Sequence, residues 1–317
     1  MDRAEIISRL EKQNKDFTDC LLDKLRRRKF DFATLGELHA AHLDEKLIVR
    51  HALPFCITER TFFGEPPAGA DFFANIILLH TLALTRIDDY YDGADDDIRV
   101  DNLAYALAAT QTAARELFAD KTFSRNNYQG IAQLLDVTKF THARMFQDSI
   151  ERYDERLLQN PRRRRAEYLT SRRSRLFASG YWEVMARASF ARRGRAFPRI
   201  LHRLDDKLRR LRQIVDEFYD VEEDLAAGLV TLPTLYILSE SDKADEFRDE
   251  IVAFWHGGAA PRVRELMTET GADAWLKNLA TAVYRDGVKE LRSVRRDAGY
   301  RALFDYKIEK LCPRAAV

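Results

Sequence analysis

The chain has 317 residues and balances 52 Lys and Arg against 51 Asp and Glu, a formal net charge of +1, which argues against any global attraction to nucleic acid or to an anionic membrane. Its three cysteines, Cys20, Cys56 and Cys312, show no CxxC spacing, so neither a disulfide framework nor a zinc site is suggested. The charged N-terminal stretch and the lack of any apolar run near the ~18 residues of a membrane span lead us to expect a soluble cytoplasmic protein without stable membrane insertion.

Only 13 Gly and 8 Pro punctuate the chain, and the long stretches between them repeat apolar residues at i, i+3, i+4 and i+7. That is the helical period, so the expected fold is all-α. With no Gly/Ser/Pro-rich linker, residues 1–317 read as a single domain. The periodicity predicts helices over about 3–28, 33–52, 70–92, 101–119, 127–158, 164–192, 198–226, 243–256, 261–284 and 287–311. Turn chemistry places breaks at Gly64-Glu65-Pro66-Pro67, Asn160-Pro161, Gly194 through Pro198, and Gly257-Gly258 with Pro261. The run Ile76 to Leu84 is apolar on nearly every face and reads as a central buried helix leading straight to Asp88. Arg162 to Arg165, the only low-complexity tract, reads as a solvated loop or helix start.

Two acidic segments stand out. In Asp88-Asp89-Tyr90-Tyr91-Asp92, Asp88 and Asp92 are spaced i, i+4 on one face, with Asp89 about 100° around the helix. In Asp216-Glu217-Phe218-Tyr219-Asp220-Val221-Glu222-Glu223-Asp224, the three aspartates recur every four residues and form a stripe two turns long. Carboxylates so placed repel one another, and at a helix C-terminus they also oppose the helix dipole. A cation is the missing partner, and rows of hard oxygen donors suit Mg²⁺, which keeps several waters and is commonly completed by substrate phosphates. Each segment carries aromatic residues inside it, which a solvated acidic face would rarely do.

These residues resemble the class I terpenoid synthase and trans-prenyl-diphosphate synthase superfamily. The string from Asp216 through Asp224-Leu225 to Gly228 and Thr231-Leu232-Pro233 is similar to the second acidic motif of that superfamily with its trailing segment, and Asp88 to Asp92 falls where the first should. The resemblance implies a single large helical bundle with a central cavity, and a trinuclear Mg²⁺ cluster held by Asp88, Asp89 and Asp92 on one wall and Asp216, Asp220 and Asp224 on the other. It further implies a prenyl diphosphate substrate, farnesyl or geranylgeranyl, whose diphosphate becomes a leaving group. Arg172 and Arg173 would bind that diphosphate in preference to Arg175, and Tyr300 and Arg301 would close over it from the C-terminal side. Phe72, Phe73, Phe140, Trp182, Phe218 and Tyr219 are candidate cavity walls. A homodimer is compatible with the resemblance.

Chain-elongating members bind a second diphosphate through basic motifs that this sequence lacks. The early segment reads Asp44 to Arg50 without glycines, only Arg99 follows Asp92, and Leu229 stands where a lysine is expected after Gly228. With fewer cations a second diphosphate would be poorly compensated. The expectation is therefore a terpene synthase, a carbon-oxygen lyase that ionises one C15 or C20 prenyl diphosphate and cyclises or rearranges the carbocation. The alternative is a prenyltransferase that joins the allylic cation to isopentenyl diphosphate or another acceptor. A di-iron bundle would need Glu-x-x-His pairs, which none of the seven histidines supplies. A non-catalytic helical scaffold would tolerate loss of the acidic motifs, and both are present.

Overall fold

Pro54, Pro161 and Pro233 each sit in the first turn of a helix, where the missing N–H would have had no intrahelical acceptor. The computed structural model describes residues 53–64, 151–170, 186–187, 189–190, 193–294, 298–309 and 311–312, and we number the helices in chain order within them. They are α1 Leu53–Phe63, α2 Pro161–Thr170, α3 Arg199–Ala226, α4 Leu232–Glu240, α5 Ala244–Trp255, α6 Val263–Glu269, α7 Ala272–Leu291 and α8 Ala298–Glu309, with a 3-10 turn at Glu155–Leu158. Among the described residues there is no strand, so the all-α expectation stands. None of the described helices is long and apolar enough to cross a membrane.

The chain divides into two compact units, each assembled from separated segments. One comprises residues 1–145, 178–202 and 291–303, and the other residues 146–177, 203–290 and 304–317.

In the first unit, α1 buries Phe55 and Ile57 together with the polar Thr58 and Glu59. Thr58 Oγ1 bonds the Pro54 carbonyl at 2.7 Å and lies 2.5 Å from the hydroxyl of Tyr300, whose side chain is fully buried. Glu59 accepts from Arg193 Nη1 at 2.8 Å, and that guanidinium lies 3.6 Å from the centroid of Phe63. Phe63 in turn packs 4.6 Å from Phe190, which sits 5.5 Å from both Phe62 and Phe197.

In the second unit, α3 is long and amphipathic, burying Leu204, Leu211, Ile214, Val215, Val221 and Leu225. Its C-terminus closes in a Schellman arrangement: Gly228 N–H reaches the Leu225 carbonyl at 3.0 Å, and Leu229 N–H the Asp224 carbonyl at 2.8 Å. Gly228 has φ +77, and a Cβ there would meet Tyr153 N at 2.7 Å, so both conformation and space demand glycine.

The arginine tract is a helix start, as expected, but two of its members hold a neighbour. Arg162 Nε donates to the Ser239 carbonyl at 3.2 Å, closing the end of α4. Arg165 donates to Ser239 Oγ at 2.7 Å and Glu240 Oε1 at 2.8 Å, while its guanidinium covers Tyr236 and Trp275.

Several helix bounds differ from the predicted ones. The helices expected at 261–284 and 287–311 are three: the break falls at Thr270-Gly271, α7 continues through Gly287, and α8 begins at Ala298. Gly287 is not a break because its bare Cα admits Phe304; a Cβ there would lie 2.5 Å from the ring Cζ. α1 and α4 fall in stretches left outside the predicted helices, and α2 starts at Pro161 rather than 164. The helix expected over 127–158 gives way after Glu151 to a turn and the 3-10 segment. The helices expected before residue 53 and over 70–92 and 101–119 lie outside the described residues.

Candidate active site

The C-terminal half of α3 carries Asp216, Glu217, Asp220, Glu222, Glu223 and Asp224. The helical repeat puts Asp216, Asp220 and Asp224 on one face, as the spacing predicts. Their environments differ. Asp220 is exposed. Asp216 is 37% exposed and accepts from Arg212 Nε at 3.1 Å, one turn back. Asp224 is half-buried, and its carboxyl is pushed up to about 7 by burial first and then by the charges of Glu217, Asp220 and Glu223, with the Thr231 side chain opposing.

Glu217 is a different kind of residue. It is buried, and its carboxylate accepts from the Tyr168 hydroxyl, from Gln213 Nε2 at 2.8 Å and from the Leu232 backbone N–H at 3.0 Å. Burial raises its carboxyl above the ordinary range, and those three donors pull it back. The Tyr168 hydroxyl is held well above its usual value by burial and by the adjacent Glu217 charge.

On the other flank of α3, Arg264 donates from Nη1 to the Phe218 carbonyl at 2.5 Å, from Nη2 to the Tyr219 carbonyl, and from Nε to Glu222 at 3.3 Å. The end of the helix is pinned as well. Trp255 Nε1 reaches the Leu225 carbonyl at 2.9 Å and the Tyr153 hydroxyl the Ala226 carbonyl at 3.0 Å. Rotation of α3 about its own axis is thus resisted from several sides, while the face with Asp216 and Asp220 stays open to solvent.

Among the described residues, no three His, Cys, Asp or Glu side chains group tightly enough to hold a metal ion alone. The donor set fits a hard divalent cation that takes one or two carboxylates from this face and completes its shell elsewhere, which is how Mg²⁺ is commonly bound. An enclosed, fully protein-ligated cage is not what α3 offers.

Asp88, Asp89, Asp92, Arg172 and Arg173 lie outside the described residues, as do Phe72, Phe73, Phe140 and Trp182. Arg301 is half-buried. Tyr300, expected to meet diphosphate, has no exposed surface, and its hydroxyl pairs with Thr58. Those are the surroundings of a packing residue. Phe218 lies between the cations of Arg264, 5.9 Å from its centroid, and Lys277, at 5.4 Å, and Tyr219 is 47% exposed. Sequence reasoning did not single out Tyr168, Arg264 or Trp255. Their partners lie 30 to 49 positions away, beyond the reach of any local spacing rule.

The fold is the all-α fold of the isoprenoid synthases. The chain is similar over 97% of its length to a decaprenyl diphosphate synthase from Rhodobacter capsulatus, with a TM-score of 0.72, 15% identity and 99% of that chain covered. It is similar to the same extent to a geranylgeranyl pyrophosphate synthase from Corynebacterium glutamicum complexed with calcium and isoprenyl diphosphate, with a TM-score of 0.72, 18% identity and 98% of that chain covered. An octaprenyl pyrophosphate synthase from Helicobacter pylori matches with a TM-score of 0.66 and 12% identity, covering 97% of this chain and 99% of that one. No family model and no curated protein sequence matches the chain.

Proposed function

We propose that the chain is an Mg²⁺-dependent enzyme that ionises an allylic prenyl diphosphate and transfers the prenyl group to isopentenyl diphosphate or another acceptor. The observation that carries this reading is the open carboxylate face of α3, with Asp216, Asp220 and Asp224 on a helix braced from its other sides. Its setting in a prenyl-synthase fold adds support, as does the isoprenyl diphosphate bound with calcium in the Corynebacterium relative. On the resemblance of the motifs, Asp88, Asp89 and Asp92 are proposed as further carboxylate ligands, and Arg172, Arg173 and Arg301 as cations for the diphosphate. Tyr300 is left out because its hydroxyl is already paired inside a packed core.

When bound, Mg²⁺ would act as a Lewis acid that turns the diphosphate into a leaving group. The residues of α3 orient that chemistry. Asp220 presents an accessible carboxylate, Asp224 a partly desolvated one beside the charges of Glu217, Asp220 and Glu223, and Arg212 steadies Asp216.

A second reading, cyclisation of one C15 or C20 substrate, is favoured by a specific observation. Leu229 occupies the position after Gly228 where elongating enzymes place a lysine, and the other basic motifs are also missing. Incubation with geranyl, farnesyl or geranylgeranyl diphosphate and Mg²⁺, with and without isopentenyl diphosphate, separates the two. Longer prenyl diphosphates formed only with the acceptor support prenyl transfer; hydrocarbon or terpene alcohol formed without it supports cyclisation. No diphosphate release under either condition, nor with other prenyl acceptors, would sink both.

A further inference from the structure

Glu217 lies within the acidic run, beside Asp216, yet it is only 2% exposed, whereas the Asp216 side chain keeps 37% of its surface. Its two oxygens are taken by protein donors. Tyr168 on α2 and Gln213 on α3 donate to Oε1, and the N–H of Leu232, the first residue of α4, donates to Oε2 at 3.0 Å. A carboxylate serving a metal must direct a free lone pair at the ion, and here three of about four lone-pair directions already receive hydrogen, two at Oε1 and one at Oε2.

The connection from α3 to α4 is short and closed at both ends. Leu229 N–H bonds the Asp224 carbonyl at 2.8 Å where the chain leaves α3, and Leu232 N–H bonds Glu217 where α4 begins. Thr231, between them, is buried. Glu217 therefore sets how the turn through Thr231-Leu232-Pro233 lies against the face that carries Asp220 and Asp224. Pro233 brings no N–H of its own, and the Leu232 amide ties the turn to α3.

We infer that Glu217 is a positioning residue and not a metal ligand, holding the α3–α4 turn and with it the geometry of the Asp216, Asp220 and Asp224 face. The inference rests on the reading of that face as a metal and diphosphate site. Removing its acceptor oxygens would leave a buried Leu232 N–H without a partner and free the turn to shift.

Calorimetric titration of the full chain with inorganic diphosphate and Mg²⁺ tests the inference, using the wild type, Glu217→Gln, Tyr168→Phe, their double variant and Asp220→Asn. Glu217→Gln and Tyr168→Phe should each keep the wild-type number of Mg²⁺ ions per diphosphate and weaken binding by about threefold to tenfold. The double variant should be no weaker than the worse single one, because both changes break one network. Loss of an ion from the stoichiometry in Glu217→Gln, with Tyr168→Phe unchanged, would make Glu217 a ligand and overturn the inference. Strictly additive effects would overturn it too. Should Glu217→Gln not fold, Tyr168→Phe and Gln213→Leu decide, and wild-type affinity in both would overturn it. A wild type without Mg²⁺-dependent diphosphate binding would remove the functional reading itself, an outcome distinct from a wild type that binds and a Glu217 variant that drops an ion.

Discussion

Trp255 donates its indole N–H to the Leu225 carbonyl at 2.9 Å, and so closes the last turn of the helix that carries the acidic stripe. Tyr153 stands edge-on to the Trp255 ring, with centroids 5.9 Å apart, and satisfies the next carbonyl, that of Ala226. Carbonyls at a helix end have no intrahelical donor; here the Leu225 carbonyl takes the Trp255 indole beside the Gly228 N–H, and the Ala226 carbonyl takes the Tyr153 hydroxyl. Tyr153→Phe deletes its donor with little change of shape, whereas Trp255→Phe deletes its donor together with part of the indole ring. Each should lower the unfolding free energy by about 1 kcal/mol, and the double variant should cost less than the sum because the two rings touch. Urea titrations of the three variants check this; strict additivity would contradict the shared clamp.

Arg163 and Arg165 are neighbours in a basic tract with unequal roles. Arg163 makes an exposed i, i+4 pair with Glu167, whereas Arg165 joins Ser239 and Glu240 and covers two aromatic rings. Arg163→Ala should leave stability nearly unchanged. Arg165→Ala should cost roughly 1–3 kcal/mol, through lost packing as well as lost hydrogen bonds. Equal effects in chemical denaturation would contradict the assignment.

Gly287 and Phe304 fit as bare backbone and ring. Gly287→Ala should destabilise the protein despite the better helix propensity of alanine, because the new methyl overlaps the ring. Phe304→Leu, made in the Gly287→Ala background, should recover part of the loss. A rise in melting temperature for Gly287→Ala alone would refute the close approach.

Glu59 gives the stability a pH dependence of known sign. Burial raises its carboxyl above 4.5, with Ser189 and Arg193 only partly offsetting the rise. The folded state therefore holds this proton more tightly than the unfolded chain does. The stabilisation is complete below 4.5 and is lost as pH climbs through the raised folded value. Glu59→Gln should flatten the decline in unfolding free energy as pH rises above 4.5. An unchanged slope would show that Glu59 does not titrate with folding.

α3 was legible from sequence because its apolar residues keep a clean helical period for 28 residues and Gly228 ends it. α4 was not. Leu232, Pro233, Thr234, Leu235, Ile237, Leu238 and Ser239 are all buried, so no polar face marks a period. Proline near the start hid α1 as well, since Pro54 reads as a breaker unless its place in the first turn is known. At the site, the stripe of Asp216, Asp220 and Asp224 follows from i, i+4 spacing alone. That Glu217 turns inward while they do not depends on Tyr168 and Leu232, and hence on tertiary packing.

Arg212 gives the stripe one more property. Its guanidinium already accompanies Asp216, so this carboxylate has a resident counter-ion. A metal ion reaching Asp216 would have to share or displace that partner, and its arrival would be an exchange of cations rather than the neutralisation of a bare charge.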